Sequence, residues 1–232
     1  MKTSVISPVR TDSSRMRGKI FWPLAGKSML QNFIERIQRA KLIDGVAIAC
    51  PPRDLDEFTK FTKGWGIKVV APEVDESDLI GRLYLAAKML NVDNVIRICA
   101  DNPCVEPEEI DSLVSLYNPA TDWELLMNSE NPDGDYDGFG GELYTIEMLE
   151  RMNEKLPEPK YREHPHQFWI DMNNYRYVGK LYPRGFRLEV NTPEEYEKLK
   201  DIYDQFGHNH FTVKEVMEYL GTKNLEEWPV FT

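Results

Sequence analysis

The stretch SPVRTDSSRMRGK, residues 7–19, follows the first apolar run of the chain and places Arg10, Arg15, Arg17 and Lys19 around Ser13, Ser14 and Gly18. Between a strand and a helix, such a loop lets backbone N–H groups, hydroxyls and cations approach phosphate oxygens. A solvated basic loop is the plainer reading. The charge distribution argues for the sharper one. Residues 1–41 hold nine Lys and Arg against two acids, net +7; residues 42–232 carry −18, which together make the chain's −11. A local basic site on an acidic protein suits a compact anion such as a nucleoside triphosphate. It does not suit nucleic acid, which calls for a broad basic face. The loop has no G-x-x-x-x-G-K-[ST] pattern, and no G-x-G-x-x-G follows the first strand. Neither a P-loop kinase nor an ordinary dinucleotide dehydrogenase is indicated.

Working outward, apolar runs and helical periods alternate. Strands are expected over 3–9, 45–50, 67–71, 94–100 and 123–128. Helices are expected over 28–41, 54–65, 78–90 and 107–117. The first helix carries Leu30, Phe33, Ile34 and Ile37 at helical spacing behind Ser28 as N-cap. This alternation predicts an α/β chain with a mostly parallel, doubly wound sheet. Ligands of such sheets bind at the carboxyl ends of the strands. The basic loop and the CADNPC stretch (99–104) both follow strands and are expected at that edge. After residue 130 the texture changes. NPDGDYDGFGGE (131–142) reads as loop, followed by helices over 145–155 and 162–172. Strands are expected over 176–182 and 186–190, then helices over 193–206 and 212–220. The chain is read as one domain, with a nucleotide-binding half (1–130) and an acceptor-binding, sheet-completing half (131–232).

The 232 residues, 41% hydrophobic and 11% aromatic, are enough for a buried core. No apolar run reaches the roughly 20 residues needed to span a bilayer. MKTSVISPVR has no long apolar segment of the secretory kind, so a cytoplasmic location without membrane contact is expected. Cys50, Cys99 and Cys104 are too few for a disulfide framework and are read as buried thiols rather than zinc ligands. The paired histidines of HPH (164–166) and HNH (208–210) lack further ligands for a zinc site.

The residues also resemble a known family. VRTDSSRMRGKIFWPLAGKSML resembles the A-R-x-x-S-x-R-x-x-G-K-x-x-x-x-L-x-G-K-x-M-L opening of the spore-coat polysaccharide biosynthesis protein F family, cytidylyltransferase-like proteins related to the synthetases of CMP-activated acidic sugars. DLIGRLYLAAK, VIRICADNPCVEPEEID, YDGFGGELYTIEMLERM, YREHPHQFWI and FRLEVNTPEEYEKLKDIYD are similar to further motifs of that family, in order, across about residues 5–205. The resemblance implies a Rossmann-like three-layer α/β/α nucleotidyltransferase fold with a small excursion in the C-terminal half. It implies transfer of CMP from CTP to a small acidic acceptor, with Mg²⁺ as cofactor, in surface-glycan synthesis, and a homodimer.

Carried over position by position, the resemblance makes Arg10, Ser13, Ser14, Arg15 and Lys19 the triphosphate-binding residues. Arg82 becomes a nucleotide contact. Asp101 becomes a metal ligand, and Arg10, Lys19 and Asp101 the catalytic set. Arg17 stands where the family has proline. Asp137, Glu142, Arg162, Glu163 and His164 are expected at the acceptor, with Glu163 orienting His164. Two departures stand out. Asn191 replaces the aspartate of V-D-T-P, the second metal ligand in related synthetases. Glu189, two residues earlier on the same strand face, is a candidate for the missing carboxylate. Gly140 replaces the second aspartate of P-D-G-x-D-x-E, so an unusual acceptor is implied. Two other readings follow from these departures. One is a nucleotide-binding relative acting as a regulatory or partner subunit. The other is a nucleotidyltransferase with another nucleotide or a non-sugar acceptor.

Overall fold

A computed structural model describes residues 1–12, 16–121, 124–129, 138–179 and 186–222. Ser13, Ser14, Arg15 and Asp137 lie outside the described residues.

The sequence alternation becomes a seven-stranded sheet. Strand β1 (Thr3–Pro8) lies between β4 (Gly45–Ala49) and β6 (Asn94–Arg97), parallel to both, and β5 (Lys68–Val70) extends the β4 edge in parallel. On the other side stand β8 (Glu142–Thr145), β7 (Leu125–Met127) and β9 (Tyr175–Tyr177). The order is β5-β4-β1-β6-β8-β7-β9. Strand β8 runs antiparallel to both neighbours, so the sheet is mixed but mostly parallel. A short hairpin of β2 (Pro23–Leu24) and β3 (Lys27–Ser28) leads into the first helix.

Side-chain alternation divides the core into two layers. Val5, Ile48, Ile96, Leu126 and Leu143 face one layer; Ile6, Ala49, Val95, Leu125 and Tyr144 face the other. The first is closed by helices α1 (Met29–Ile37), α4 (Pro107–Leu116), α8 (Pro193–Phe206) and α9 (Val213–Thr222), through residues such as Phe33, Leu113, Tyr203 and Val216. Helix α2 (Leu55–Phe61) adds Phe58. The second is closed by α3 (Leu79–Leu90), α5 (Ile146–Lys155) and α7 (Pro165–Asp171), through Leu83, Leu149 and Trp169. The result is the three-layer α/β/α arrangement, with β7 before residue 130 and β8 after it in one sheet.

Helix starts follow their caps. Ser28 accepts from the Gln31 N–H at 3.1 Å at the start of α1. Thr192 and Glu195 form a reciprocal capping box on α8, with Pro193 in its first turn.

Three expectations are corrected. In place of the loop and helix start expected after GFGG, Glu142–Thr145 is a central strand. The helix expected over 162–172 is broken at Pro165 into α6 (Pro159–Glu163) and α7, because proline has no N–H to continue the ladder. Residues 186–190, expected as a strand, contribute a single bridge at Arg187. No helix among the described residues is long and apolar enough to cross a membrane.

Candidate active site

Two adjoining cavities open where β1 and β6 end. The first, of about 160 Å³, is lined by Pro8, Val9, Arg10, Lys19, Ile20, Cys99, Ala100 and Asp101. The second, of about 330 Å³, also reaches Cys99 and Asp101, and extends to Glu142, His164, His166, Arg187, Glu189 and Asn191. Asp101 therefore stands at their junction.

Lys19 opens a short 3-10 turn, Lys19–Phe21, behind Gly18, whose φ of 67° lies in the left-handed region. A side chain there would be strained, so glycine suits the bend that turns Lys19 inward. Lys19 is only 7% exposed. Its Nζ donates to Asp101 Oδ2 at 2.9 Å and to the Val190 carbonyl at 2.5 Å. The Val190 N–H donates in turn to the Asp101 carbonyl at 2.9 Å. The basic loop, the end of β6 and the entrance to α8 thus meet on one ammonium.

Arg10 lines the first cavity and reaches Glu76 at 3.9 Å. Arg82, also expected at the nucleotide, is buried in α3 outside both linings and donates to the Glu76 carbonyl at 2.9 Å. Burial and the charge of Arg10 lower its pKa.

Glu189 and Asn191 join Asp101 in the second cavity. Burial, aided by the Asp101 charge, raises the Glu189 carboxyl above its usual range against the opposing Arg187, whose Nη2 lies 3.1 Å away. Asn191 Oδ1 is buried with no hydrogen-bond partner among the described residues. Its N–H donates to Glu195 Oε2 at 2.5 Å. Two carboxylates and an unsatisfied amide oxygen form a hard donor set. A small divalent cation that completes its shell with phosphate oxygens and water takes such a set. Among the described residues no group of three or more His, Cys, Asp and Glu side chains is placed to hold a metal ion.

The expected acceptor residues divide. Glu142 and His164 line the second cavity. Glu142 sits opposite Arg97 in the β6–β8 register, and Arg97 Nη1 donates to its two oxygens at 2.7 and 2.8 Å. Ser129 Oγ adds a bond at 2.8 Å. Burial would raise the Glu142 pKa; Arg97, His166 and these hydrogen bonds outweigh it and hold it below the usual range. Arg162 is not brought to the cavity. Its guanidinium donates to Asp78 Oδ2 at 2.6 Å, Asn153 Oδ1 at 2.8 Å and the carbonyls of Asn153 and Leu156, tying α6 to α3 and α5. Glu163 ends α6 exposed to solvent, outside both linings.

Sequence reasoning did not select Arg97, His166 and Arg187 as site residues, although all three stand in motifs quoted for the resemblance. His166 lies 3.9 Å from Glu142, and burial pushes its pKa down to about 4 against the pull of that carboxylate. Cys50 and Cys104 are the buried thiols expected, pushed up to about 11 and about 12 by burial. Cys99 is half-buried and lines both cavities. At Gly140 an added Cβ would fall 2.1 Å from Asn128 Oδ1, so the place left by the replaced aspartate is filled. Asn128 itself is buried and accepts the Gly141 N–H at 2.9 Å.

A 3-deoxy-manno-octulosonate cytidylyltransferase of Geobacter sulfurreducens is 31% identical over 204 residues, covering 82% of this chain and 79% of the relative. The spore coat polysaccharide biosynthesis protein SpsF of Bacillus subtilis is 22% identical over 215 residues, covering 87% and 86%. The solved structure of a cytidylyltransferase from Leptospira borgpetersenii serovar Hardjo-bovis superposes with a TM-score of 0.85 at 26% identity, covering 100% of this chain and 98% of that one. Residues 4–227 match the family described as Cytidylyltransferase, and the chain belongs to it: a nucleotidyltransferase that uses CTP to place CMP on an acceptor with release of pyrophosphate.

Proposed function

We propose that the acceptor is an acidic sugar, that the cofactor is Mg²⁺, and that the product feeds surface-glycan synthesis. The observation that carries this reading is the junction at Asp101. A cationic cavity bearing Arg10 and Lys19 meets a second cavity bearing His164, Arg187 and the Glu189 carboxylate. The first suits a triphosphate and the second a polar acceptor. The octulosonate acceptor named for the Geobacter relative is of this acidic class.

In this reading the triphosphate lies against Arg10 and Lys19, with Ser13, Ser14 and Arg15 as further contacts of the same loop. An acceptor oxygen attacks the α-phosphorus in line, and the bond to the β-phosphate oxygen breaks. The acceptor oxygen gives its proton to solvent water, and pyrophosphate leaves. Arg10 and Lys19 neutralise the charge that develops on the leaving group, without a covalent nucleophile. Bound at Asp101, Glu189 and Asn191, Mg²⁺ would supply charge neutralisation and orient phosphate oxygens. Lys19, held to both Asp101 and Val190, keeps the two cavities in register. His164 and Arg187 bind the acceptor. Glu142, engaged by Arg97, orients their surroundings.

The test is pyrophosphate release from CTP and Mg²⁺ with a panel of keto-acid sugars set against their neutral counterparts. Turnover with an acidic sugar alone supports the reading. Turnover with neutral or non-sugar acceptors contradicts the acidic acceptor. Stable CTP binding with no pyrophosphate release from any acceptor favours the subunit reading that Asn191 raised.

A further inference from the structure

We propose that Arg53 is a further nucleotide-binding residue, forming with Arg10 a clamp for phosphate oxygens that the Glu76 carboxylate fills in this structure and yields to the nucleotide. The inference rests on the triphosphate site proposed above.

Three arginines converge on residue 76. Arg53 Nη1 pairs with Glu76 Oε1, and Arg10 Nη1 lies 3.9 Å from Oε2. Arg82 Nη2 donates to the Glu76 carbonyl at 2.9 Å. The other nearby acids are engaged. Asp78 caps α3 and pairs with Arg162, and Asp75 accepts from Ser77. Asp54 approaches Arg53 Nε at 3.7 Å, and its oxygens also take the Thr11 N–H at 3.1 Å and hydroxyl at 2.9 Å. Glu76 is therefore one acid shared by Arg10 and Arg53.

The Asp54–Thr11 bonds also fix the geometry. Asp54 is buried, and it ties the residue after Arg10 to the residue after Arg53. Arg53 is thereby fastened beside the phosphate loop although it comes from the turn after β4. Arg82 adds a third guanidinium to this cluster, with its Nε buried and without a hydrogen-bond partner among the described residues. A single carboxylate shared by two guanidiniums is a modest counter-ion. A triphosphate offers several charged oxygens to the same forks, and arginine binds such oxygens in pairs. Arg53 and Glu76 are 49% and 37% exposed at their side chains, so the competing ion pair is weak enough to open.

Calorimetric titration with CTP, inorganic pyrophosphate and neutral cytidine tests this in the full chain, for wild type, Arg53→Ala and Glu76→Gln. Arg53→Ala is expected to weaken CTP and pyrophosphate about two- to fivefold, the size of a half-exposed charge contact, and to leave cytidine unchanged. Glu76→Gln is expected to tighten CTP and pyrophosphate by a similar factor. Unchanged affinities would make Arg53–Glu76 an ordinary surface pair and overturn the proposal. Weaker binding by Glu76→Gln would overturn it too, since Glu76 would then order the arginines rather than compete. An equal loss for cytidine would place Arg53 at the nucleoside rather than the phosphates. Wild-type protein that bound neither CTP nor pyrophosphate would instead overturn the triphosphate site itself.

Discussion

The buried Lys19 ammonium lies 2.9 Å from Oδ2 of the half-buried Asp101, at the meeting point of two cavities. A cation here serves two ends. It balances a carboxylate inside the fold, and it faces the cavity assigned to the departing phosphates. Lys19→Ala is therefore expected to lower kcat/KM for CTP about 100-fold or more, as loss of a preorganised charged donor does. It should also lower stability by about 1–3 kcal/mol, because Asp101 and the Val190 carbonyl lose a partner. Steady-state kinetics and denaturant unfolding check the two effects separately. Normal CTP kinetics in a destabilised protein would leave Lys19 a structural residue.

Asp101→Asn keeps the shape and removes the charge. The rate is expected to fall about 100-fold or more and to lose its dependence on Mg²⁺. The check is a Mg²⁺ titration of pyrophosphate release. Wild-type Mg²⁺ response in the variant would remove Asp101 from the proposed metal site.

Asn191→Asp adds a carboxylate beside Asp101 and Glu189, whose carboxyl is already raised by burial and by Asp101. Without Mg²⁺ the added charge should destabilise the fold by about 1–2 kcal/mol. Added Mg²⁺ should recover that loss. Thermal melts with and without Mg²⁺ read this directly, independent of turnover. A melt that Mg²⁺ does not move would place the metal elsewhere.

His166 gives a pH dependence. Burial lowers its pKa from 6.5 to about 4 in the folded chain. Between those values the unfolded chain takes up a proton that the folded chain refuses. This contribution to stability is therefore present above pH 6.5 and is lost as pH falls toward 4, by up to about 3 kcal/mol. Glu142, held below its usual range, acts in the same sense at lower pH. His166→Asn should flatten the fall between pH 6.5 and 4.5, measured by urea unfolding at each pH. An unchanged slope would contradict a buried neutral imidazole.

Arg162→Ala separates structure from recognition. Its hydrogen bonds go to Asp78, Asn153 and Leu156 rather than to the cavity. Stability should fall by about 1–3 kcal/mol with the acceptor KM little changed. A large rise in acceptor KM at unchanged stability would return Arg162 to the acceptor site.

Much of this was legible along the chain. The parallel strands β1, β4 and β6 show as apolar runs because both their faces are buried, and Ser28 marks the start of its helix by capping chemistry. Strand β8 was not legible. It has four residues, opens with Glu142 and follows a glycine-rich stretch, and its state is set by pairing between β6 and β7. The Arg97–Glu142 pair shares that cause, since a cross-strand partner cannot be assigned before the strand is known. The break at Pro165 was readable from proline alone. Arg10, Lys19 and Asp101 could be nominated from the basic loop and the motif after β6. The bond between Lys19 and Asp101 needed the fold, which closes a separation of 82 positions.

The most direct measurement is calorimetric titration of the purified protein with CTP, UTP, ATP and GTP, each with and without Mg²⁺. Selective CTP binding that Mg²⁺ strengthens and Lys19→Ala weakens is the expected result. Equal affinity for the four nucleotides, or CTP binding indifferent to Mg²⁺, would contradict it.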